Sequence, residues 1–337
     1  MMANGYRVWI SSPDDDRSKS AYFKEAGCEM VETPMERRGT NPFRDFGLLR
    51  RYCQLIREVE PEAVLTYTIK PNVYGGLAAR WMRVPQLANI TGLGTAIENP
   101  GLLQKITIAM YRFSLRKTKT VFYQNDTIRK FCEEKGIGHH GVLLPGSGVN
   151  LKWHALQPYP PQDSPMKFLL IGRLMRDKGT DEFLEMVAAV KSAHPQVEFH
   201  ILGPCEDDYE AQIAEAHSQG MVVWHGSVPD VRPYMRESWC TVHPSYHEGM
   251  ANVLLESAAA GRPVITSDVP GCREAVDDGE TGFLCPVRDA SALTAAVERF
   301  VSLPYEKKVQ MGIAGREKVV REFDREMVVK AYLDALA

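Results

Sequence analysis

Lys167-Phe168-Leu169-Leu170-Ile171-Gly172-Arg173-Leu174-Met175-Arg176-Asp177-Lys178-Gly179-Thr180 decides the fold. The stretch opens as a short apolar run of the kind that fills a strand buried on both faces. The run breaks at Gly172, and beyond Thr180 a helical pattern follows through Phe183, Leu184, Val187, Ala188 and Val190. Strand, glycine, two spaced cations, then helix is how a doubly wound parallel sheet presents charge at the carboxyl ends of its strands. Arg173 can grip a diphosphate with two prongs, while Lys178 acts as a point charge. Taken alone, the same two cations read equally well as solvated loop residues.

Downstream, His247-Glu248-Gly249-Met250-Ala251-Asn252-Val253-Leu254-Leu255-Glu256 follows the strand-like Trp239-Cys240-Thr241-Val242 and opens a helix running to about Ala260. A loop carboxylate, a glycine and free backbone N–H groups then converge on a helix N-terminus, which attracts phosphate through its dipole and orphan donors. Glu256 lies about two turns further along, where a carboxylate can accept hydrogen bonds from the vicinal hydroxyls of a ribose. Such a site fits a phosphate held between two sugars. Two Glu eight apart are common by chance, so it is the agreement of both segments that matters.

Together, Gly172-Arg173-x4-Lys178-Gly179 and Glu248-x7-Glu256 resemble the retaining, GT-B-fold glycosyltransferases of family 4. Thr68-Ile69-Lys70-Pro71-Asn72, Ile90-Thr91-Gly92-Leu93-Gly94, Gln124-Asn125, Pro145-Gly146-Ser147-Gly148-Val149 and Val269-Pro270-Gly271-Cys272-Arg273-Glu274 are similar to runs in one bacterial branch. That branch transfers a hexose or N-acetylhexosamine to polyprenyl-diphosphate-linked intermediates of capsule, O-antigen or protein glycan.

The resemblance implies an α/β protein of two Rossmann-like, doubly wound parallel-sheet domains facing a cleft. Residues 1–155 would bind the acceptor and residues 166–321 the nucleotide-sugar, with a last helix near 322–337 returning to the first domain. Arg173 and Lys178 would neutralise the leaving diphosphate without a metal, and Glu248 would bond hydroxyls of the transferred sugar. Gly172 and the backbone of Gly249, Met250, Ala251, Asn252 and Val253 would line the donor, and Glu256 would hold the ribose. Gly203-Pro204 and Val228 would flank the base. Lys70, Asn72, Thr91, Gly92 and Gly94 would face the acceptor. The implied partners are a nucleotide-sugar and a lipid-linked saccharide, with no cofactor beyond a UDP-sugar as donor substrate. A UDP-sugar epimerase of the same fold and a non-catalytic nucleotide-sugar-binding remnant are the rival readings.

Strand-like and helix-like segments alternate throughout, which argues independently for parallel sheets. In the first half strands are expected near 6–10, 28–32, 63–67, 85–90, 119–123 and 141–145, with helices near 18–26, 43–58, 71–83, 101–117 and 125–135. Tyr159-Pro160-Pro161-Gln162-Asp163-Ser164-Pro165 has no periodicity and is expected to link two domains. Ala3-Asn4-Gly5 reads as a helix C-cap with no helix before it, so the family's first strand and glycine loop are expected to be missing, leaving a slot in the first sheet.

The 337 residues suffice for two domains, and 44% apolar with 25% charged residues is globular composition. No apolar run reaches the ~18–20 residues that span a bilayer, and no signal-peptide core opens the chain. Seven scattered Cys without C-x2-C spacing suggest reduced thiols in a cytoplasmic protein without a zinc site. The formal net charge of −3 divides into +6 for residues 1–150 and −9 for the remainder. A basic first half suits an anionic partner, and without aromatic interleaving that partner is expected to be a lipid diphosphate or the inner face of the cell membrane rather than nucleic acid. Segment 101–117 holds Leu102, Leu103, Ile106, Ile108, Met110, Phe113 and Leu115, with Lys105, Arg112, Arg116, Lys117 and Lys119 among or beside them. It suits either ordinary packing or an anionic lipid surface, depending on whether its apolar groups are exposed.

Other features point away from alternative chemistries. Asp14-Asp15-Asp16 carries a D-x-D pattern but falls in a Ser-Pro-Asp turn. His243 and His247 are four apart, yet Pro244 stands between them and no helix joins them as metal ligands. No G-x-G-x-x-G follows a strand, which argues against NAD. Thr91-Gly92 stands where many family members carry a histidine, so no histidine role is carried over. Met250-Ala251 replaces the family's common Phe-Pro, a change in loop stiffness more than in chemistry.

Overall fold

The computed structural model describes residues 1–13, 17–35, 42–93, 101–139, 141–206 and 209–337. Two compact units emerge, one of Met1–Leu144 with Val329–Ala337 and one of Pro145–Val328.

In the first unit the strands are β1 (Trp9–Ser12), β2 (Glu29–Glu32), β3 (Val64–Tyr67), β4 (Gln86–Ile90), β5 (Thr120–Tyr123) and β6 (Gly141–Leu143). The helices between them are α1 (Arg17–Glu25), α2 (Pro42–Val59), α3 (Gly76–Met82), α4 (Leu102–Ser114) and α5 (Asp126–Glu134). All pairings are parallel, as crossover helices demand. The strands form two separate sheets, β1-β2 and β3-β4-β5-β6, and no strand among the described residues joins β1 to β3. Beneath the larger sheet Ile90, Tyr111, Leu115, Val121 and Cys132 build the core. Tyr332 packs edge-on to Phe122 with centroids 4.7 Å apart, which ties the end of the chain into this unit.

The second unit carries β7 (Lys167–Ile171), α6 (Thr180–Ala193), β8 (Glu198–Leu202), α7 (Tyr209–Ser218), β9 (Val223–Trp224) and α8 (Arg232–Glu237). It continues with β10 (Cys240–His243), α9 (Asn252–Ala259), β11 (Val264–Ser267), β12 (Gly282–Cys285), α10 (Ala290–Ser302) and α11 (Tyr305–Glu322). The final helix, α12 (Arg325–Leu336), begins in this unit and ends in the first. Its parallel sheet runs β12-β11-β10-β7-β8-β9. The chain leaves β7 toward β8 and β9, then returns to β10 on the other side. The carboxyl ends of β7 and β10 are therefore the topological switch point, where open α/β sheets bind ligands. Phe168, buried from both faces, stacks on Phe199 at 5.4 Å and meets Phe300 edge-on at 5.6 Å. Buried aromatics of this kind fix the sheet against α6 and α10.

The proline-rich 159–165 has no regular structure, but contacts divide the chain earlier, between Leu144 and Pro145. Residues 145–158 are bound to the second unit. Val149 N–H donates to Phe323 O at 2.8 Å, and Arg262 reaches Pro158 O at 2.6 Å.

Candidate active site

The loop after β7 makes a 3-10 turn at Arg176–Lys178 and enters α6 through Gly179 at φ 71°. A Cβ at Gly179 would stand 2.1 Å from Pro244 O, so only glycine lets this loop approach the loop after β10. The amide of Tyr246 locks the two loops by donating to Asp177 O at 2.9 Å. Gly271 meets the same need opposite, because a Cβ there would be 2.4 Å from Glu248 O. The two close approaches set Lys178 against Glu248.

Lys178 Nζ donates to Glu248 Oε1 at 2.5 Å, and His243 Nε2 meets the same oxygen at 2.9 Å. Burial alone would push the Glu248 carboxyl up. The His243 hydrogen bond and charge, with the Lys178 ammonium, outweigh it and hold the group down at about 2. Arg173 turns elsewhere, with its Nη1 donating to both Glu206 oxygens at 2.9 and 3.0 Å. Gly172 N–H is bonded to Leu202 O, and Gly203 N–H to Gly226 O. Pro204 O receives Leu174 N–H at 2.9 Å, so the loops after β7 and β8 lie side by side.

Asn252 and Val253 open α9, where first-turn amides lack intrahelical partners, and Ala251 supplies no side-chain cap. The Ala251 amide itself is engaged, donating to Gly271 O at 2.8 Å, so it is not one of the free donors expected from sequence. Met250 is buried in the core around Leu254 and Val319 and lends this loop backbone only. Glu256, inside α9, has His154 Nε2 at 3.9 Å, and burial pushes its carboxyl up to about 7. Val228 and Val253 share a small apolar cluster with Leu169, Leu202 and Met235.

Two family models match the chain: "Glycosyl transferases group 1" over residues 152–318 and "Glycosyl transferase 4-like" over residues 1–125. The chain is a glycosyltransferase of this group 1, 4-like kind, with the GT-B fold. A Campylobacter jejuni relative, N,N'-diacetylbacillosaminyl-diphospho-undecaprenol alpha-1,3-N-acetylgalactosaminyltransferase, is 22% identical over 97% of this chain and 89% of its own length. The glycogen synthase of Mycobacterium tuberculosis is 30% identical over 58% of this chain and 48% of that protein. Among solved structures, Anabaena HepE in complex with UDP-glucose superposes at a TM-score of 0.80 with 16% identity, covering 97% of this chain and 91% of that one. A glycosyltransferase from Rickettsia africae superposes at 0.79 with 18% identity, covering 99% and 90%.

In the first unit of this glycosyltransferase, the residues expected to face an acceptor have different fates. Lys70 donates to Asp45 Oδ1 at 2.6 Å, and the Tyr74 hydroxyl donates to Asp45 Oδ2 at 3.0 Å. Asn72 is 0% exposed and its Nδ2 donates to Asn89 O at 2.8 Å, so its side chain holds the backbone beneath the surface. That role differs from the direct contact expected of it. Thr68 holds a φ of 67° ahead of a π-helical turn at Pro71–Gly75, a strained arrangement for a β-branched residue. Thr91 and Gly92 follow β4, half-buried, while Gly94 and Asp14-Asp15-Asp16 lie outside the described residues.

Sequence reading missed His243 and Glu206. The sequence offers His243 only as a metal ligand paired with His247, whose side chain is exposed. The usable signal was position: a polar residue ending a buried strand at the switch point.

Proposed function

We propose that this glycosyltransferase is a retaining, metal-independent enzyme of family 4. It moves a hexose or N-acetylhexosamine from a UDP-sugar to a polyprenyl-diphosphate-linked saccharide in cytoplasmic assembly of a surface polysaccharide or glycan. The observation that carries the reading is the Lys178–Glu248–His243 cluster beside the uncapped start of α9, at the switch point of the second unit. The Campylobacter relative's name supplies the lipid-linked acceptor, and the HepE complexes supply the UDP-sugar.

In this reading the second unit, near residues 166–321, holds the donor, and the first takes the acceptor beside Lys70, Thr91 and Gly92. Lys178 and Arg173 face the diphosphate, the amides of Asn252 and Val253 add donors, and Glu248 accepts hydroxyls of the transferred sugar. Gly203-Pro204 and Val228 flank the base, and Glu256 accepts the ribose hydroxyls. The bond from the anomeric carbon to the diphosphate breaks as the acceptor oxygen bonds to the same face. The acceptor's proton passes to the departing phosphate oxygen.

A transfer assay with radiolabelled UDP-glucose, UDP-galactose, UDP-N-acetylglucosamine and UDP-N-acetylgalactosamine against polyprenyl-diphosphate sugars tests this. Transfer from one donor, undiminished by excess EDTA, is the expected result. Absence of binding and transfer with every donor would overturn the assignment, and loss on chelation restored by Mg²⁺ or Mn²⁺ would overturn the metal-free mechanism.

Glu256 gives the donor a pH signature. A carboxyl at about 7 is mostly neutral at pH 6 and mostly ionised at pH 8, and only the ionised form offers both oxygens as acceptors. Affinity for a UDP-sugar, whose own diphosphate does not titrate here, should rise about tenfold across that interval. Glu256→Gln should flatten the slope, and calorimetry showing a flat wild-type profile would remove Glu256 from the ribose. The same upward shift lowers stability as pH rises from about 4.5 to about 7, where the unfolded chain binds fewer protons than the folded one.

Membrane association is part of the proposal. Helix α4 leaves Leu102 (75%), Leu103, Ile106 and Phe113 exposed, with exposed Lys105, Arg112, Arg116 and Lys117 on or beside it. No helix among the described residues is long and apolar enough to cross a membrane, so the contact would be superficial. Sedimentation with phosphatidylglycerol vesicles should retain the chain at low salt and release it at high salt. Equal behaviour with phosphatidylcholine vesicles would count against it.

A further inference from the structure

His243 and Lys178 donate to one and the same oxygen of Glu248. Under the function proposed above, on which this inference rests, Lys178 must turn to the diphosphate when a donor binds. Glu248 would then be a largely buried carboxylate stripped of one partner, a costly state unless something else holds it. We propose that His243 is the positioning residue that keeps the Glu248 carboxylate aimed at the transferred sugar while Lys178 is engaged by the diphosphate.

Several observations assign this role to His243. It is the last residue of β10 and only 5% exposed, so its ring is anchored on a buried strand rather than a loop. Its backbone is fixed from β11, where it pairs in register with Thr266 and its carbonyl accepts the Thr266 hydroxyl at 2.7 Å. Lys178, by contrast, sits on a single 3-10 turn at the end of a flexible four-carbon stem and is free to change partner. A carboxylate only accepts, so Nε2 of His243 carries the hydrogen whatever its other nitrogen does. Both donors meet Oε1, which leaves Oε2 as the oxygen to receive a sugar hydroxyl. The low Glu248 carboxyl noted above shows that the pair already favours the ionised form a hydroxyl donor requires.

The geometry dictates which substitutions succeed. The amide nitrogen of glutamine reaches about as far as Nε2, whereas that of asparagine falls at the distance of Nδ1. His243→Gln should keep turnover of the preferred UDP-sugar within about threefold of wild type. His243→Asn and His243→Leu should lower kcat about 10- to 100-fold, the range a misplaced contact costs. Affinity for UDP alone should change by less than about threefold, because UDP has no sugar for Glu248 to meet. Wild-type kcat in the leucine variant would overturn the proposal. So would glutamine and asparagine variants equally impaired, with lowered melting temperature and weakened UDP binding, since that pattern marks a structural role. Should the leucine variant fail to fold, the contrast between glutamine and asparagine still decides. Glu248→Gln serves as the reference: if it turns over donor normally, the sugar does not lie at Glu248 and the functional reading fails with the inference. If it is impaired while His243→Leu is not, the positioning role alone is lost.

Discussion

Lys178→Ala should lower sugar transfer by roughly 30- to 1000-fold, and Arg173→Ala by an amount in the same range. A charge-assisted contact to a departing diphosphate is worth about 2–4 kcal/mol where negative charge develops. Both residues stand on the loop that carries the chain out of β7, outside the cores that hold the unit together. Lys178 should show the larger loss. It is mostly shielded from water beside Glu248, whereas Arg173 is 48% exposed and its charge is partly screened. Arg173 also begins paired with Glu206, its Nη1 shared between both carboxylate oxygens, so part of its attraction for phosphate is spent in leaving that carboxylate. Circular dichroism and melting curves should match the wild type closely in both variants. Near-normal turnover in the double variant would remove the diphosphate from this loop.

Much of this arrangement was legible in the sequence, because it depends on local order. The apolar run of β7, its break at Gly172 and the helical pattern after Thr180 fix strand, turn and helix without reference to the rest of the chain. The same holds for β10 and for the start of α9 at Asn252. Illegible were contacts set by how distant strands pair. Glu248 meets Lys178 only because β10 lies beside β7 in a register that pairs Cys240 with Phe168, whereas His243 reaches Glu248 from only five residues away in the chain. Glu206 meets Arg173 only because Leu174 bridges Cys205. Asn72 was expected at the acceptor from the resemblance alone, and the π-helical turn that buries its side chain under Asn89 O depends on packing that the local sequence does not show. The division between units was displaced from the proline-rich segment because loss of periodicity marks where regular structure stops, not where contacts change sides.

Arg262→Met should destabilise the second unit by about 3–5 kcal/mol. Nothing in Gly261-Arg262-Pro263 distinguishes this arginine from a solvated one, yet it is 0% exposed and has no carboxylate partner among the described residues. Its donors go to backbone carbonyls instead. Nε reaches Met235 O at 2.9 Å, Nη2 reaches Pro158 O at 2.6 Å and Arg236 O at 2.8 Å, and Nη1 reaches Ala260 O at 3.2 Å. These acceptors lie at the carboxyl ends of α8 and α9, where the helix dipole is negative, and on the segment entering from residue 145. These carbonyls thus stand in for a carboxylate partner, and the guanidinium staples three stretches of chain. Burial lowers its pKa to about 10, still far enough above neutrality to keep the charge. Methionine fills similar space but strips Pro158 O and Arg236 O of their donor, whereas Met235 O keeps Ser238 and Ala260 O keeps the Gln157 amide. At about 2–4 °C per kcal/mol for a unit of this size, the melting temperature should fall by roughly 6–20 °C. Arg262→Lys should recover less than half of the loss, since an ammonium has three donors and cannot reproduce a planar fork. UDP binding measured well below the transition should be unchanged in both. A methionine variant melting within about 2 °C of wild type would show that the staple is dispensable and that these carbonyls find other donors.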